Sequence, residues 1–284
     1  MSGRTAVITG GNAGIGMETA RALAGLGARV VITSRAAERG QAAVEELRRT
    51  TGNESVECVA LDLASLASVR TCASTLLDLV PAIDVLDLNA GGLISQRRVT
   101  EDGFELQFQA NHLGHFLLVT LLLERLVASA PARIILLSSW GHTQARRGLD
   151  FDDLQWERRP YRGSAVYGAT KLMNIYLAVE LARRLAERGA RVTANAVHPG
   201  FVRSRFALDG DTRWMRAGLV VARPFARTPA TGARGVVWLA SSPAAASETG
   251  GYWIDCRRRA PSRAAQDPDA ARRLWEVSAD LAGV

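Results

Sequence analysis

Short apolar segments alternate with helical segments along the whole 284-residue chain. The first apolar segment, residues 5–9, runs into a group of glycines and then into a helical pattern. Strands separated by helices of about ten to fifteen residues are typical of βαβ units, which build a parallel sheet covered on both faces. The alternation therefore predicts an α/β fold, a doubly wound parallel sheet of about seven strands with helices on both faces, in one domain spanning residues 1–284. The predicted strands are 5–9, 29–33, 56–61, 83–88, 133–137, 191–197 and 251–254. The predicted helices are 15–26, a segment ending near 49, 66–79, 104–128, a segment around Tyr167 ending near 188, and 269–281.

Composition narrows the class of protein. The hydrophobic fraction of 48% is enough for a full core, and the net charge of +7 is scattered as single arginines and short pairs. The densest basic run, residues 257–259, is interpreted as a solvated face or an anion contact rather than a nucleic-acid site. The three cysteines have no CxxC spacing, which argues against a disulfide framework or a zinc site. With no signal-peptide pattern and no long apolar stretch, we expect a cytoplasmic protein without a membrane span.

A glycine-rich turn follows the first strand. Gly10, Gly14 and Gly16 lie between that strand and the next helix. Glycines at this place let the backbone approach a pyrophosphate, which then binds at the helix N-terminus. The spacing differs from the usual GxGxxG and is a weak signal by itself. Its position between a strand and a helix favours a dinucleotide site in a Rossmann fold.

The residues at the end of the second strand indicate which nicotinamide cofactor the chain prefers. NAD sites place an acid near this point to bind the ribose 2′-hydroxyl. Here the chain reads Ser34-Arg35, and no acid occurs before Glu38. A guanidinium suits a 2′-phosphate, so we expect NADP(H) to be preferred over NAD(H). The alternative is an ordinary surface arginine.

Lys171 is the only lysine among the 35 lysine and arginine residues of the chain. It follows Tyr167 by four residues, which places both on one helix face. A nearby ammonium favours the phenolate and lowers the pKa of the phenol from about 10, as a general acid or base requires. The alternative is a chance pair on a solvated helix face.

Five spaced motifs occur together in one order. They are TGxxxGxG at residues 9–16, NAG at 89–91, Ser139, YxxxK from Tyr167 to Lys171, and the turn Pro199-Gly200. With these motifs the chain resembles the short-chain dehydrogenase/reductase family over essentially its whole length. It is most similar to the retinol-dehydrogenase-like and WW-domain-oxidoreductase-like branch. The finer resemblance rests on residues 102–105, 111–116, 255–256, 261–262 and 273–276.

The resemblance implies an NADP-dependent oxidoreductase that interconverts a hydroxyl and a carbonyl group by hydride transfer. Tyr167 would supply or remove the hydroxyl proton, and Lys171 would lower its pKa and bond the nicotinamide ribose. Ser139 would hold the substrate oxygen, with Ser138 as the alternative. Asn111 would hold a water that links Lys171 to solvent.

The resemblance also implies a set of residues around the cofactor. Two positions depart from the family pattern: Leu88 stands where a second asparagine is usual, and Ser204 stands where a threonine is usual. The implied cofactor-binding residues are Gly10, Asn12, Gly14, Ile15, Gly16, Ser34, Arg35, Asp62, Leu63, Asn89, Ala90, Gly91, Tyr167, Lys171, Pro199, Gly200, Val202 and Ser204.

A segment from about residue 200 to 228 carries several large apolar residues and is predicted to be a lid over a lipophilic pocket. The expected substrate is a bulky lipophilic alcohol, aldehyde or ketone. Two alternatives stay open, a redox-inert NADP-binding regulator and a redox-neutral isomerase. A homodimer or homotetramer is also open, because the family often dimerises through two long helices.

The histidines and the other tyrosines have simpler interpretations. His112 and His115 are expected to pack or cap rather than bind a metal, and His198 to pack at a strand end. His142 lies close enough in sequence to Ser139 to reach a substrate. Tyr161 and Tyr176 have no basic residue four positions later and do not compete with Tyr167.

Overall fold

The strands of the computed structural model, which describes residues 1–202 and 226–284, form one sheet. The strands are β1 (Thr5–Ile8), β2 (Arg29–Ser34), β3 (Val56–Ala60), β4 (Val85–Leu88), β5 (Ala132–Leu137), β6 (Val192–His198), β7 (Tyr252–Ile254) and β8 (Arg257–Arg259). Their order across the sheet is β3-β2-β1-β4-β5-β6-β7-β8. Strands β1 to β7 pair in parallel, which confirms the predicted doubly wound α/β fold.

Strand β8 is an addition to the seven predicted strands. It consists of the three consecutive arginines and pairs antiparallel with β7. All three residues are exposed. A run of arginines has no apolar alternation, so the sequence does not mark it as a strand. Charged side chains on an edge strand discourage pairing with another chain.

Helices cover both faces of the sheet. They are α1 (Gly14–Gly25), α2 (Ala37–Thr51), α3 (Leu66–Leu79), α4 (Leu106–Phe108), α5 (Gly114–Ala128), α6 (Gly163–Glu187), α7 (Pro229–Ser241) and α8 (Pro268–Ala282). Helices α1, α2 and α7 pack on one face, and α3, α5, α6 and α8 pack on the other. Helix α7 was not among the predicted helices. None of the helices in the described ranges is long and apolar enough to cross a membrane.

The helix predicted at 104–128 is interrupted. Between α4 and α5, Gln109–Leu113 form a π-helical turn. Such turns add one residue to the repeat and are frequent at functional sites. This turn carries Asn111, whose side chain bonds to the backbone of Gly92 in the segment that follows β4. The apolar spacing that predicted one continuous helix cannot reveal a single inserted residue.

The C-terminal helix α8 covers part of the face formed by α5 and α6. Trp275 packs edge-on against Phe116 at 5.0 Å, and the Arg184 guanidinium lies 4.3 Å from the Trp275 ring. The Ser278 hydroxyl is 2.9 Å from Nε2 of His112. Helix α8 therefore occupies part of the face formed by the two long helices, α5 and α6. The predicted lid falls largely on residues 203–225, which lie outside the described residues.

Strand β4 contains a buried aspartate that the predicted apolar strand did not distinguish from its neighbours. Asp87 lies between Ile8 and Ile135 in the sheet register and is 0% exposed. Neither carboxylate oxygen has a hydrogen-bond partner among the described residues. Burial raises the pKa of Asp87 to about 8. Because a buried charge without a partner is costly, this carboxyl is protonated at neutral pH.

We predict that Asp87→Val stabilises the protein, and more so at pH 8 than at pH 5. The folded-state pKa lies above the unfolded value, so stability falls as pH rises from about 4 to about 8, by up to about 1.4 kcal/mol per pH unit. Because valine has no carboxyl group, the variant does not lose this stability as the pH rises. Thermal unfolding of both proteins at several pH values measures the difference.

Asp84→Asn is the matched control for this prediction. Asp84 stands three residues earlier but accepts hydrogen bonds from Arg4 at 2.6 Å and from the Thr5 amide at 2.8 Å. Its replacement is expected to lower the melting temperature. If the melting temperatures of wild type and Asp87→Val changed with pH in the same way, the assignment of a protonated buried carboxyl would be contradicted.

Candidate active site

The loop between β1 and α1 leaves an open helix N-terminus. Gly10 and Gly14 have φ of +66° and +57°, which glycine adopts without strain. A Cβ on Gly16 would lie 2.6 Å from the carbonyl oxygen of Gly10, so no larger residue fits there. Ala13 precedes α1 without a capping side-chain bond, and the first turn has no acidic residue. The free amide groups of this turn are donors suited to a phosphate group.

Thr9 joins this loop to the end of β4. Its hydroxyl accepts hydrogen bonds from the amides of Asn89 and Ala90 at 2.9 and 3.0 Å. The Asn89 side chain donates to the carbonyl oxygen of Thr9 at 2.9 Å. His115 on α5 lies 3.0 Å from the same hydroxyl, and burial lowers the pKa of His115 to about 3, so its ring is neutral. The buried Asn89 Oδ1 has no hydrogen-bond partner among the described residues.

The ends of β2 and β3 present the next predicted residues. Arg35 is exposed and forms no salt bridge with the described residues. Ser34 is buried, and its hydroxyl donates to the carbonyl oxygen of Ala36 at 2.8 Å. Asp62 Oδ1 accepts a hydrogen bond from the Ala64 amide at 3.0 Å. Leu63 is buried, and Gly114 of α5 packs against its backbone.

The turn after β6 lies close to the start of α1. Gly200 has φ of +85°. Val202 and Ile15 both approach Gly232 of α7, where an added Cβ would lie 2.6 Å and 3.4 Å from their side chains. Asn12 is partly buried in the loop itself, and Pro199 is partly buried in the turn. Ser204 lies outside the described residues.

Ser139 and Tyr167 come together where β5 ends. Ser139, the second residue after β5, precedes a short 3-10 helix, Trp140–Gln144. Its hydroxyl accepts a hydrogen bond from the Gly141 amide at 3.1 Å. A Cβ on Gly141 would lie 3.2 Å from the Tyr167 ring and 3.4 Å from Ser139 Oγ. The Tyr167 hydroxyl shares a hydrogen bond with Ser139. The glycine is thus the spacer that lets the two side chains meet.

Lys171 and Asn111 meet at Gly91. A Cβ on Gly91 would lie 3.0 Å from Asn111 Oδ1 and 3.4 Å from Lys171 Nζ. The amide group of Asn111 exchanges two hydrogen bonds of 2.8 Å with the backbone of Gly92. Lys171 Nζ donates to the carbonyl oxygen of Leu137 at 2.9 Å and lies 5.5 Å from the centre of the Tyr167 ring. The structure therefore brings all four predicted catalytic side chains to one place.

The pKa of Tyr167 responds to burial and to one hydrogen bond. Burial raises it above its usual value near 10, and the hydrogen bond with Ser139 lowers it in part. In this arrangement the Lys171 ammonium donates to Leu137, and the lowering of the Tyr167 pKa by Lys171 stays a prediction. Burial lowers the pKa of Lys171 itself to about 8. At neutral pH the site thus holds a protonated phenol beside an ammonium group.

Two residues flanking Ser139 support it rather than face a ligand. The Ser138 hydroxyl is buried and donates to the carbonyl oxygen of Lys171 at 2.8 Å, which ties β5 to α6. His142 is also buried, with one ring nitrogen 2.7 Å from the Ser139 carbonyl oxygen and the other accepting the Ser262 amide at 3.1 Å. Both of its nitrogens are used, so His142 fixes the backbone of Ser139 from behind.

Tyr161, Tyr176 and His198 are engaged elsewhere. The Tyr161 hydroxyl is 2.9 Å from the Glu105 carboxylate, and the Tyr176 hydroxyl donates to the Ala264 carbonyl oxygen at 2.6 Å. His198, the last residue of β6, accepts the Trp140 amide at 3.2 Å. These contacts agree with the prediction that none of them competes with Tyr167.

Thr9 and the carbonyl group of Leu137 belong to the site but were not predicted to act there. Thr9 could have been found, because it opens the glycine motif, whereas no residue type marks a backbone carbonyl. The sequence places His142 within reach of a substrate, but in the structure its ring supports the backbone of Ser139.

The comparison with known proteins supports one family. A family model described as short chain dehydrogenase matches residues 4–149. Human retinol dehydrogenase 13 is 40% identical over 286 residues, which cover 99% of this chain and 85% of that protein. A crystal structure of a protein from Mycobacterium Paratuberculosis is 34% identical, with a TM-score of 0.80 over 100% of this chain and 94% of that one.

The active-site complex of RhlG with NADP from Pseudomonas aeruginosa is 28% identical, with a TM-score of 0.67, and covers 89% of this chain and 95% of that one. The sequence motifs, the sheet order and these similarities agree. The chain belongs to the short-chain dehydrogenase/reductase family, in its retinol-dehydrogenase-like branch.

Proposed function

We propose that this oxidoreductase interconverts a hydroxyl and a carbonyl group on a bulky lipophilic small molecule, with NADP(H) as the cofactor. The observation that carries the proposal is the cluster of Asn111, Ser139, Tyr167 and Lys171 at the carboxyl edge of the parallel sheet. Ligands of open α/β sheets bind at this edge. Loop and helix ends that present amide donors lie at the same edge.

The nicotinamide group supplies or accepts a hydride when it is bound. The Tyr167 hydroxyl, protonated at neutral pH, donates its proton to the substrate oxygen in the reduction and takes it back in the oxidation. The Ser139 hydroxyl, which already bonds to Tyr167, holds that oxygen. Lys171 Nζ has three donors and uses one on Leu137, so two are left for ribose hydroxyls and solvent. Asn111 fixes the strand end beside Lys171.

The glycine loop and the strand ends would hold the cofactor. The uncapped start of α1 receives the pyrophosphate, and Arg35 pairs with the 2′-phosphate. The unpartnered Asn89 Oδ1 is the acceptor assigned to a ribose hydroxyl. The NADP bound to RhlG supports this choice by similarity.

Large apolar side chains beside the cluster favour a lipophilic substrate. Trp140, next to Ser139, is 61% exposed, and Phe201, next to Gly200, is 48% exposed. Exposed apolar residues that flank polar catalytic groups are typical of a binding site. The name of retinol dehydrogenase 13 refers to a substrate of this chemical type.

The whole chain is proposed to act as one domain, because its two termini contribute to one sheet and one core. The three described cysteines are free, which favours a reducing compartment such as the cytoplasm. A homodimer or homotetramer stays a proposal, and α8 occupies part of the face that α5 and α6 would offer to it.

Tyr167→Phe is expected to lower turnover of a lipophilic ketone by about 10²- to 10⁴-fold, because the proton donor is lost. NADPH oxidation over a panel of such ketones measures this. Tyr176→Phe is the matched control, since it removes a hydroxyl from the same helix away from the cluster. Wild-type turnover in Tyr167→Phe would refute the mechanism. Product formation without NADPH oxidation would instead indicate redox-neutral chemistry.

Lys171→Arg is expected to lower turnover on the order of 100-fold although it keeps the charge, because the planar fork cannot take the place of a compact ammonium. Wild-type reduction is expected to decline as pH rises through about 8, where Lys171 loses its proton. The pH–rate profile of both proteins measures this. A fully active arginine variant, or a wild-type profile flat from pH 6 to 10, would contradict the role.

Arg35→Ala is expected to weaken NADPH binding about 10-fold or more and to leave NADH binding nearly unchanged, because only NADPH has a 2′-phosphate. Fluorescence titration of both cofactors measures the ratio. Arg49→Ala, an exposed arginine at the far end of α2, is the control. An unchanged preference in Arg35→Ala would remove Arg35 from the phosphate site.

A further inference from the structure

A cavity lies on the other side of α6 from the catalytic cluster. Its volume is about 320 Å³, and it opens between α6 and the segment that follows the 3-10 helix. Ala165, Ala169 and Met173 form its floor, and Leu149 and Leu154 form an apolar wall. The volume is at the lower end of the range of about 300–1,000 Å³ found for ligand pockets.

Helix geometry separates this cavity from the active site. Ala165, Ala169 and Met173 are four residues apart and therefore form one stripe along α6. Tyr167 lies two residues from Ala165 and from Ala169, which is a rotation of about 200° around the helix. A ligand on the stripe would thus bind against the helix that carries Tyr167 and Lys171 without touching either side chain.

The rim of the cavity carries positive charge that the protein does not neutralise. Arg146 and Arg147 line the cavity, are exposed, and form no salt bridge with residues 1–202 or 226–284. Arg159 lies 3.5 Å from Asp150 and 3.4 Å from Asp153, so its charge is already balanced. The lining therefore has two guanidinium groups available for an anion.

Trp156 completes the rim and is held in place. The Arg159 guanidinium stacks on its ring at 3.8 Å, and the backbone of Trp156 has φ of +55°, a conformation that a tryptophan rarely adopts. The carboxylate of Asp153 accepts the Glu157 amide at 2.7 Å and stabilises this turn. The buried indole N–H of Trp156 has no partner among the described residues. Strained backbone of this kind is often found at binding sites.

We propose that this cavity is an accessory binding site for an amphipathic carboxylate, a medium-length hydrocarbon chain that ends in one carboxyl group. The chain would pack on the alanine and methionine stripe, and the carboxylate would bond to Arg146 and Arg147. Arginine forks match the geometry of a carboxylate. A neutral lipid would leave both arginines unused, and a free phosphate would leave the apolar floor uncovered.

The test is a titration of the full chain with decanoate below its micelle concentration, followed by calorimetry. Wild type is expected to bind one equivalent saturably. Arg146→Gln/Arg147→Gln is expected to weaken binding about 10-fold or more, equivalent to 1.4 kcal/mol. Ala165→Met, which fills the floor while leaving the charges, is expected to weaken it as well. Arg258→Gln/Arg259→Gln makes the same change of net charge on β8 and is expected to bind as wild type does.

Decanol and inorganic phosphate test the two halves of the ligand separately, and each is expected to bind at least about 10-fold more weakly than decanoate. Saturating NADPH is expected to leave decanoate binding unchanged. The proposal is overturned if no saturable binding occurs, if the rim or floor variants bind as wild type does, or if NADPH displaces decanoate, which would place the ligand in the nucleotide cleft. These readouts do not depend on turnover, so they separate this site from the proposed catalytic one.

Discussion

The hydrogen bonds of Thr9 are the junction on which the active site is built. One hydroxyl accepts the amides of Asn89 and Ala90 and contacts the neutral ring of His115. It thereby fixes the end of β1 to the end of β4 and to α5. The phosphate loop starts at this threonine, and Gly91 follows two residues after Asn89. The cofactor loop and the catalytic cluster consequently share one rigid support.

The carbonyl group of Leu137 joins the end of β5 to α6 in a similar way. It accepts Lys171 Nζ at 2.9 Å and the Asn174 side chain at 3.1 Å, so the end of β5 holds α6 by two polar contacts. Lys171 is only 2% exposed, and the loss of hydration lowers its pKa to about 8. The hydrogen bond offsets part of that cost. The ammonium group is held 5.5 Å from the centre of the Tyr167 ring.

Most of the secondary-structure elements can be predicted from the sequence. Seven of the strands were expected within a few residues of their observed positions, because apolar runs and glycine turns mark strands that are buried on both faces. The π-helical turn at Gln109–Leu113 and the edge strand β8 were not readable. An inserted residue leaves the apolar spacing nearly intact, and three arginines carry no strand pattern. The burial of Asp87 could not be predicted either, because one polar residue in a short apolar strand does not indicate which side chains surround it.

By itself the sequence determined the succession of strands and helices along the chain and the glycine loop, because local spacing and residue type are properties of the chain. Its resemblance to a family pointed to Asn111, Ser139, Tyr167 and Lys171. Tertiary structure alone decided which atoms meet. It turned the Lys171 ammonium toward Leu137, raised the pKa of Tyr167 by burial, used His142 to support Ser139, and opened a cavity behind α6. Hydration and hydrogen bonding depend on the groups that packing brings within a few ångströms, and these groups lie on different strands, helices and turns of the chain.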